Sequence, residues 1–441
     1  MKNATEKNMQ TKASPKTPRP ARSAPLLFIL LLINSCSIPE KQTEHPAEPQ
    51  SAPVTSEQTK AEPTKSTATT EQATAEPATS ETIPDTRSPA PQAMPSRQAV
   101  PSTNLKTDEQ VLMFPTLAVF DSQSKRWQLT IHGWVFEPEH DSIWRNGVIN
   151  SLALFLGVNE DSEEGERFKQ RTAMFLVDNE RNKNIVLTHA GNYFSAPTTG
   201  ANGHFEFNAR LPPGKPRCQR WLTLKVKTRD NDQRQFNGQV QCIEPEGISV
   251  ISDIDDTIKD SNVLDKKALL TKTFLREFSS IKGMSTLYQH WQQRGYQFHY
   301  VSSSPWQLYP VLQQFLSDES FPRGSMHLKL IRIKDESIFN LLATPAEGKI
   351  PTITHLLETY PQRRFILVGD SGEKDPDIYA SIAKKYPNRI IKIYIHDVTG
   401  DKQRIEAVFS ALPRQQWVVF TDTSELLTHQ ALLNPAESFK H

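Results

Sequence analysis

The sequence predicts an α/β fold, an open parallel sheet covered by helices on both faces, preceded by a mainly β segment. Three observations predict it. After Pro245, short apolar runs alternate with longer stretches of helical periodicity, the pattern of a parallel sheet. Between about residues 108 and 244 the pattern is strand and turn instead. The polar clusters of the second half directly follow apolar runs, as in folds that bind ligands at the carboxyl ends of their strands.

The chain has 441 residues, and its 37% of hydrophobic residues are unevenly spread. Residues 37–107 are built from Pro, Thr, Ala, Glu, Ser and Gln with almost no large apolar side chain, too few to offset the entropy of ordering, and are read as a disordered linker. Ahead of it stand a basic start (Lys2 through Arg22), the apolar run PLLFILLLI, and then Asn34, Ser35 and Cys36. That order is a secretory signal peptide, and the run is far short of the roughly 20 residues that span a bilayer. Ile33 to Cys36 resembles the lipobox of bacterial lipoproteins. The likeness implies a signal peptide over residues 1–36, lipidation at Cys36 and a lipid anchor on the periplasmic face of the outer membrane. The alternative is an ordinary cleaved signal with an unmodified cysteine nearby. Net charge is +1, with a basic leader and an acidic linker that nearly cancel, so no basic surplus is left to hold nucleic acid.

In the segment 108–244, strands are expected at 127–136, 171–177 and 203–211, with one helix at 143–158. This reads as a sandwich-like, mainly β domain without a catalytic constellation. Cys218 and Cys242 flank a hairpin expected from 222–227 and 235–240, and they are equidistant from Asp230 in its turn. An exported protein favours a disulfide between them; two free buried thiols are the alternative.

In the segment 245–441, strands are expected at 248–254, 298–301, 328–333, 365–368, 390–395 and 417–421. Helices fit between and after them at 266–294 (broken near Gly283), 308–316, 350–360, 376–386, 402–412 and 424–432.

The first polar cluster, Asp253, Ile254, Asp255, Asp256 and Thr257, follows the run GISVIS. Two carboxylates two positions apart at a strand end point into one site, and such crowding is costly unless a cation or catalysis requires it. A calcium loop also places Asp at every second position, but its glycine and terminal glutamate are missing here. DxDxT after an apolar strand resembles the first motif of the haloacid dehalogenase superfamily. The likeness implies a Rossmannoid sheet with Asp253 as nucleophile toward phosphorus. Asp255 is then the acid to the leaving oxygen and afterwards the base to water. Thr257 steadies the turn beside the phosphate. Ser302, opening Ser302, Ser303, Ser304 and Pro305 after FHYV, matches the hydroxyl that bonds a phosphoryl oxygen, with Ser303 as the alternative. Asp370 and Asp375, in GDSGEKD, match the acidic motif that completes a Mg²⁺ site. Its implied ligands are Asp253, Asp370 and the carbonyl of Asp255, with Asp375 behind them as support. The superfamily's lysine is assigned to Lys349, ahead of IPTITHLLETY, with Lys329 and Lys334 as competitors.

The runs SDIDDTIKDSNV, HYVSSSPWQLY and FILVGDSGEKDPDIY resemble the actin-patch-associated phosphatidate phosphatase family, and IHGWVFEP and GHFEF resemble the domain that precedes its catalytic one. The likeness implies Mg²⁺-dependent hydrolysis of phosphatidate to diacylglycerol, with a phospholipid as substrate. The segments after Thr257 and after Ser304 are too short for a full cap domain, so the site is expected to be open to a phosphate on a bulky partner. Trp306 and Tyr309 are read as a membrane-interface pair or as packing. Lys259 and Lys374 are read as added positive potential or as solvated loop residues. A phosphomonoesterase for soluble or protein-bound phosphate, and a non-catalytic envelope-binding lipoprotein, are the competing functions.

Overall fold

The structure, a computed structural model, describes residues 103–138, 143–213, 220–330 and 348–426. The leader with Cys36, most of the expected linker, Cys218 and Lys334 lie outside the described residues. Most of the helix expected at 424–432 lies outside them too.

The first part is a nine-stranded sheet: β1 (Gln110–Met113), β2 (Thr116–Asp121), β3 (Arg126–Glu137), β4 (Asp178–Asn179), β5 (Val186–His189), β6 (Asn192–Ser195), β7 (His204–Arg210), β8 (Trp221–Val226) and β9 (Asn237–Ile243). Its main path runs β1-β3-β2-β9-β8-β5-β6, with β4 and β7 paired to β3. Phe194 of β6 and Phe205 of β7 share one core cluster with Leu129 and Leu224, so the sheet folds over on itself. The mainly β expectation holds, with one correction. Residues expected as a strand at 171–177 continue a helix, α2 (Glu163–Ala173), after α1 (Ile143–Leu156). Ser162 caps α2, accepting the Gly165 N–H at 3.1 Å, and acidic residues fill its first turn. This local helix signal outweighs the short apolar run that follows. The β8–β9 hairpin pairs Trp221 with Gln241, two residues beyond the Gln239 that symmetry about Asp230 would place opposite it, and the Cys242 N–H donates to Arg220 O at 2.9 Å. Cys242 is disulfide-bonded.

The second part is a parallel sheet of six strands: β10 (Ile248–Ser252), β11 (Gln297–Pro305), β12 (Ser325–Lys329), β13 (Arg364–Asp370), β14 (Ile390–His396) and β15 (Trp417–Phe420). Helices α3 (Lys266–Phe274), α4 (Met284–Gln293), α5 (Tyr309–Asp318), α6 (Lys349–Thr359), α7 (Asp375–Lys385) and α8 (Lys402–Phe409) connect them. Strand alternation divides the core. Ile366 and Val368 of β13 pack with α3, α4 and α5 residues such as Phe274, Trp291 and Phe315, whereas Phe365 and Leu367 pack with Leu356, Ile382 and Phe409 of α6, α7 and α8. A sheet covered on both faces buries every position of its central strand, and all five residues of β10 are buried, Ser249 and Ser252 with hydrogen-bond partners in Arg363 and Tyr288. The helix expected to break near Gly283 does break there. Gly283 has φ 84°, and a Cβ on it would stand 2.7 Å from Thr423 Oγ1, so only glycine fits the start of α4.

The order β12-β11-β10-β13-β14-β15 reverses direction between β10 and β13. At such a switch point the flanking connections leave in opposite directions and open a crevice at the carboxyl ends. Register pairs Ser252 with Val368, so the residues that follow, Asp253 and Gly369–Asp370, emerge side by side at that crevice.

Candidate active site

Asp253 is the first residue past β10, and its N–H donates to Val368 O at 2.9 Å, so strand pairing fixes its backbone. Both carboxylate oxygens are held. Lys349 Nζ stands 3.0 Å from Oδ1, and Thr257 Oγ1 donates to Oδ2 at 3.1 Å. Thr257 reaches back because the chain turns at once, the Ile258 N–H donating to Ile254 O at 3.0 Å.

Lys349 opens α6 and is only 3% exposed. Its ammonium also lies 2.7 Å from Asp375 Oδ1 and 2.9 Å from Glu373 Oε2. Burial works against charge on this lysine, but Asp253, Asp375 and Glu373 together hold its pKa well above the ordinary value.

Asp370 ends β13. Its Oδ1 accepts the N–H groups of Gly372 at 2.6 Å and Glu373 at 3.1 Å, while Oδ2 is buried without a hydrogen-bond partner. Burial first, then the carboxylates of Asp375 and Glu373, pushes the Asp370 carboxyl well above the usual range. Burial also raises Asp253, against the pull of Lys349. Carboxylate oxygens of Asp253, Asp370 and Asp375 lie within 4.8 Å of one another. An orphaned buried oxygen among mutually repelling carboxylates is the donor set of a hard divalent cation. Asp375 is otherwise engaged: Lys349 takes Oδ1, and the Tyr379 hydroxyl donates to Oδ2 at 3.3 Å. A Cβ on Gly369 would come within 2.3 Å of Asp375 Oδ2, so this glycine is the space into which Asp375 packs.

The Asp255 side chain joins a different set. Ser304 Oγ donates to Oδ2 at 2.9 Å and Ser302 Oγ at 3.4 Å, while Ser261 Oγ donates to Oδ1 at 2.7 Å with Lys259 Nζ also at 2.7 Å. Burial alone would raise this carboxyl, but Lys259 and the hydroxyls outweigh it and hold the pKa below the ordinary value. Its carboxylate is not part of the acidic trio, which leaves its main-chain carbonyl as the group available to an ion. Lys259 is 2% exposed, so it is a buried counter-charge and not a solvated loop residue, whereas Lys374 is exposed.

Asp256, Ser261 and Glu373 had no assigned role in the sequence. Asp256 adopts φ 51°, and its carboxylate accepts the N–H groups of Ser261 and Asn262, both at 2.7 Å, and of Val263 at 2.6 Å. The turn it closes delivers Ser261 to Asp255. The doubled Asp was the available signal, since Asp tolerates the left-handed region and binds backbone N–H groups nearby.

Trp306 and Tyr309 do not form an interface pair. They are 5% and 3% exposed, with ring centroids 4.0 and 5.2 Å from that of Phe114, and they pack the sheet against the β part.

Residues 248–397, which carry β10 to β14, match the family model for the catalytic domain of phosphatidate phosphatase APP1. An uncharacterised protein of Schizosaccharomyces pombe is 31% identical over 184 residues, covering 41% of this chain and 30% of that protein. Phosphatidate phosphatase APP1 of Saccharomyces cerevisiae is 36% identical over 157 residues, covering 35% of this chain and 26% of that protein. The chain therefore spans less than a third of the length of these curated relatives, and the parallel-sheet part is APP1-like.

Proposed function

We propose that the chain is a Mg²⁺-dependent phosphatase of the haloacid dehalogenase type that hydrolyses phosphatidate through an aspartyl-phosphate at Asp253. The unpartnered, buried Asp370 Oδ2 beside Asp253 carries the reading, in a segment similar to an APP1 catalytic domain. Thr257 and Lys349 orient the Asp253 carboxylate, and Lys349 adds a fixed positive charge for the phosphoryl oxygens. Asp253 attacks phosphorus as the alcohol oxygen leaves. Asp255, aligned by Ser304 and Ser302, gives that oxygen a proton and then takes one from the water that cleaves the acyl phosphate. Because Lys259 holds Asp255 ionised, the first of these protons arrives with a phosphomonoester bound as its monoanion. Mg²⁺ at Asp253, Asp370 and the Asp255 carbonyl would neutralise charge on the transferring group.

The leader supports a further reading, in which Cys36 carries a lipid that keeps the enzyme at the periplasmic face of the outer membrane. Incorporation of an alkynyl fatty acid, lost in Cys36→Ala, tests it.

For the activity, phosphate release from phosphatidate in mixed micelles is measured with Mg²⁺ and with chelator, beside Asp253→Asn. Release that needs both the metal and Asp253 supports the reading. Hydrolysis of an aryl phosphate through Asp253 with none of phosphatidate removes the substrate and keeps the chemistry. Inactivity on both favours a non-catalytic envelope protein.

A further inference from the structure

A cavity of about 500 Å³ adjoins the candidate site. Ser302 and Lys349 line it together with Leu328 of β12 and, from the β part, Thr130, His132 and Glu206. The catalytic segment thus lacks one wall of its own pocket, and the β part supplies it.

That wall is fixed in place. The Met326 N–H donates to Pro115 O at 3.0 Å, the Tyr360 hydroxyl donates to Ala118 O at 3.2 Å, and Phe114, Trp134 and Trp306 belong to the same core as Val250 and Tyr300. The one carboxylate of that wall is Glu206, which is exposed. His132 is buried with Nε2 2.9 Å from His204 Nδ1, and burial, then the neighbouring ring, pushes its pKa down to about 3. Thr116 and Thr130 spend their hydroxyls within the sheet, Thr116 Oγ1 donating to Thr130 O at 2.6 Å and Thr130 Oγ1 to Asn208 Oδ1 at 3.2 Å. Val301, Trp306, Met326, Leu328 and Pro351 fill the apolar remainder of the lining. Apart from Lys349, the lining carries one charge of each sign, Lys329 and Glu206, so a chamber of this size with largely apolar walls suits an uncharged organic moiety better than a second anion.

We propose that this chamber is the subsite for the alcohol half of the phosphomonoester, that it takes an uncharged, largely apolar group, and that the β part is its specificity wall. The proposal rests on the phosphatase reading above and extends it to a part of the chain outside the family match.

The test uses the full chain and a series of alkyl phosphates from ethyl to decyl, with phosphatidate in mixed micelles in parallel. In the parent protein kcat/KM rises by up to about fourfold per methylene until the chamber is filled. In Thr130→Trp, which fills it from the β side, and in Leu328→Trp, from the sheet side, the decyl-to-ethyl ratio falls at least tenfold. Reading a ratio separates loss of the subsite from loss of fold, and two variants on opposite walls guard against one failing to fold. A parent with no chain-length dependence, or variants that keep it, overturns the proposal. Chain-length dependence without phosphatidate hydrolysis upholds the subsite and removes phosphatidate as substrate. Phosphatidate hydrolysis with a flat alkyl series does the reverse, and silence on every ester overturns both.

Discussion

Lys349 Nζ lies 3.0 Å from Asp253 Oδ1 and 2.7 Å from Asp375 Oδ1, so one buried ammonium ties the end of β10 to the start of α7. Removing it would leave several buried carboxylates unneutralised, a far larger penalty than the pair's own net worth. Lys349→Met is expected to cost about 3–5 kcal/mol by urea unfolding. In whatever remains folded, kcat should fall by about 10² or more. An unchanged urea midpoint would show that the carboxylates are neutralised by some other route.

Asp253 bears the opposite relation to stability. Burial raises its pKa well above the ordinary value, so the folded state holds its negative charge at a cost. Asp253→Asn should therefore stabilise the metal-free protein by about 1 kcal/mol or more while lowering kcat by about 10⁴. Calorimetry and turnover on the same preparations check both. A variant that is less stable and still active would remove Asp253 as nucleophile.

The acidic trio predicts a second calorimetric result. A cation that binds only the folded state stabilises it by mass action, about 2.7 kcal/mol at one hundred times its Kd. Adding Mg²⁺ to chelator-treated protein should raise Tm by several degrees, and Asp370→Asn, which removes the unpartnered Oδ2, should abolish the shift. A shift of equal size in the variant would place the ion elsewhere.

Ser304 and Ser302 both reach Asp255 Oδ2, but at 2.9 and 3.4 Å, and Ser302 Oγ also accepts the Ser304 N–H at 3.0 Å. The shorter bond assigns the orienting role to Ser304. Ser304→Ala is expected to lower kcat roughly tenfold or more with KM little changed, the cost of one hydrogen bond to a charged group. Ser302→Ala should act mainly on KM, as a phosphate contact would. Steady-state kinetics in which the two variants behave alike would discard this division of labour.

These residues were unequally legible in the sequence. Asp253, Asp370 and Ser302 follow apolar runs, where a strand end fixes the place at which the next side chain emerges, and it was the resemblance of these clusters to the superfamily's motifs that singled them out. Lys349 was one of three candidates, because nothing local distinguishes a lysine buried among carboxylates from a solvated one at a helix start. Lys259 and Ser261 depend on the left-handed turn at Asp256, a conformation that the sequence permits but does not announce. For Trp306 the packing reading stood beside an interface reading that the sequence alone could not remove, because its partner, Phe114, lies far away in the chain. The strand expected at 171–177 failed for a local reason, since the short apolar run from Met174 to Val177 cannot compete with a capped, acid-led helix immediately before it.

The buried histidines set how the protein responds to acid. His132 is held to about pKa 3 by burial and by His204. His299, bonded to Ser325 Oγ at 2.8 Å and Ser249 Oγ at 3.2 Å, is pushed well below the ordinary value, again by burial first. A histidine whose folded-state pKa is depressed binds no proton where the unfolded chain does. Stability is therefore intact above about pH 6.5 and is lost as pH falls below it, by about 1.4 kcal/mol per pH unit per group. For His132 that loss continues toward its folded value near 3 and amounts to roughly 2 kcal/mol at pH 5. The raised carboxyls of Asp253 and Asp370 act with the opposite sign, so the informative quantity is the difference between parent and variant. His132→Gln, unable to protonate, should lose less stability than the parent between pH 7.5 and 5 by that amount, whatever its stability at pH 7.5. Parallel pH profiles of ΔG for the two proteins would mean that His132 does not stay neutral in the folded state.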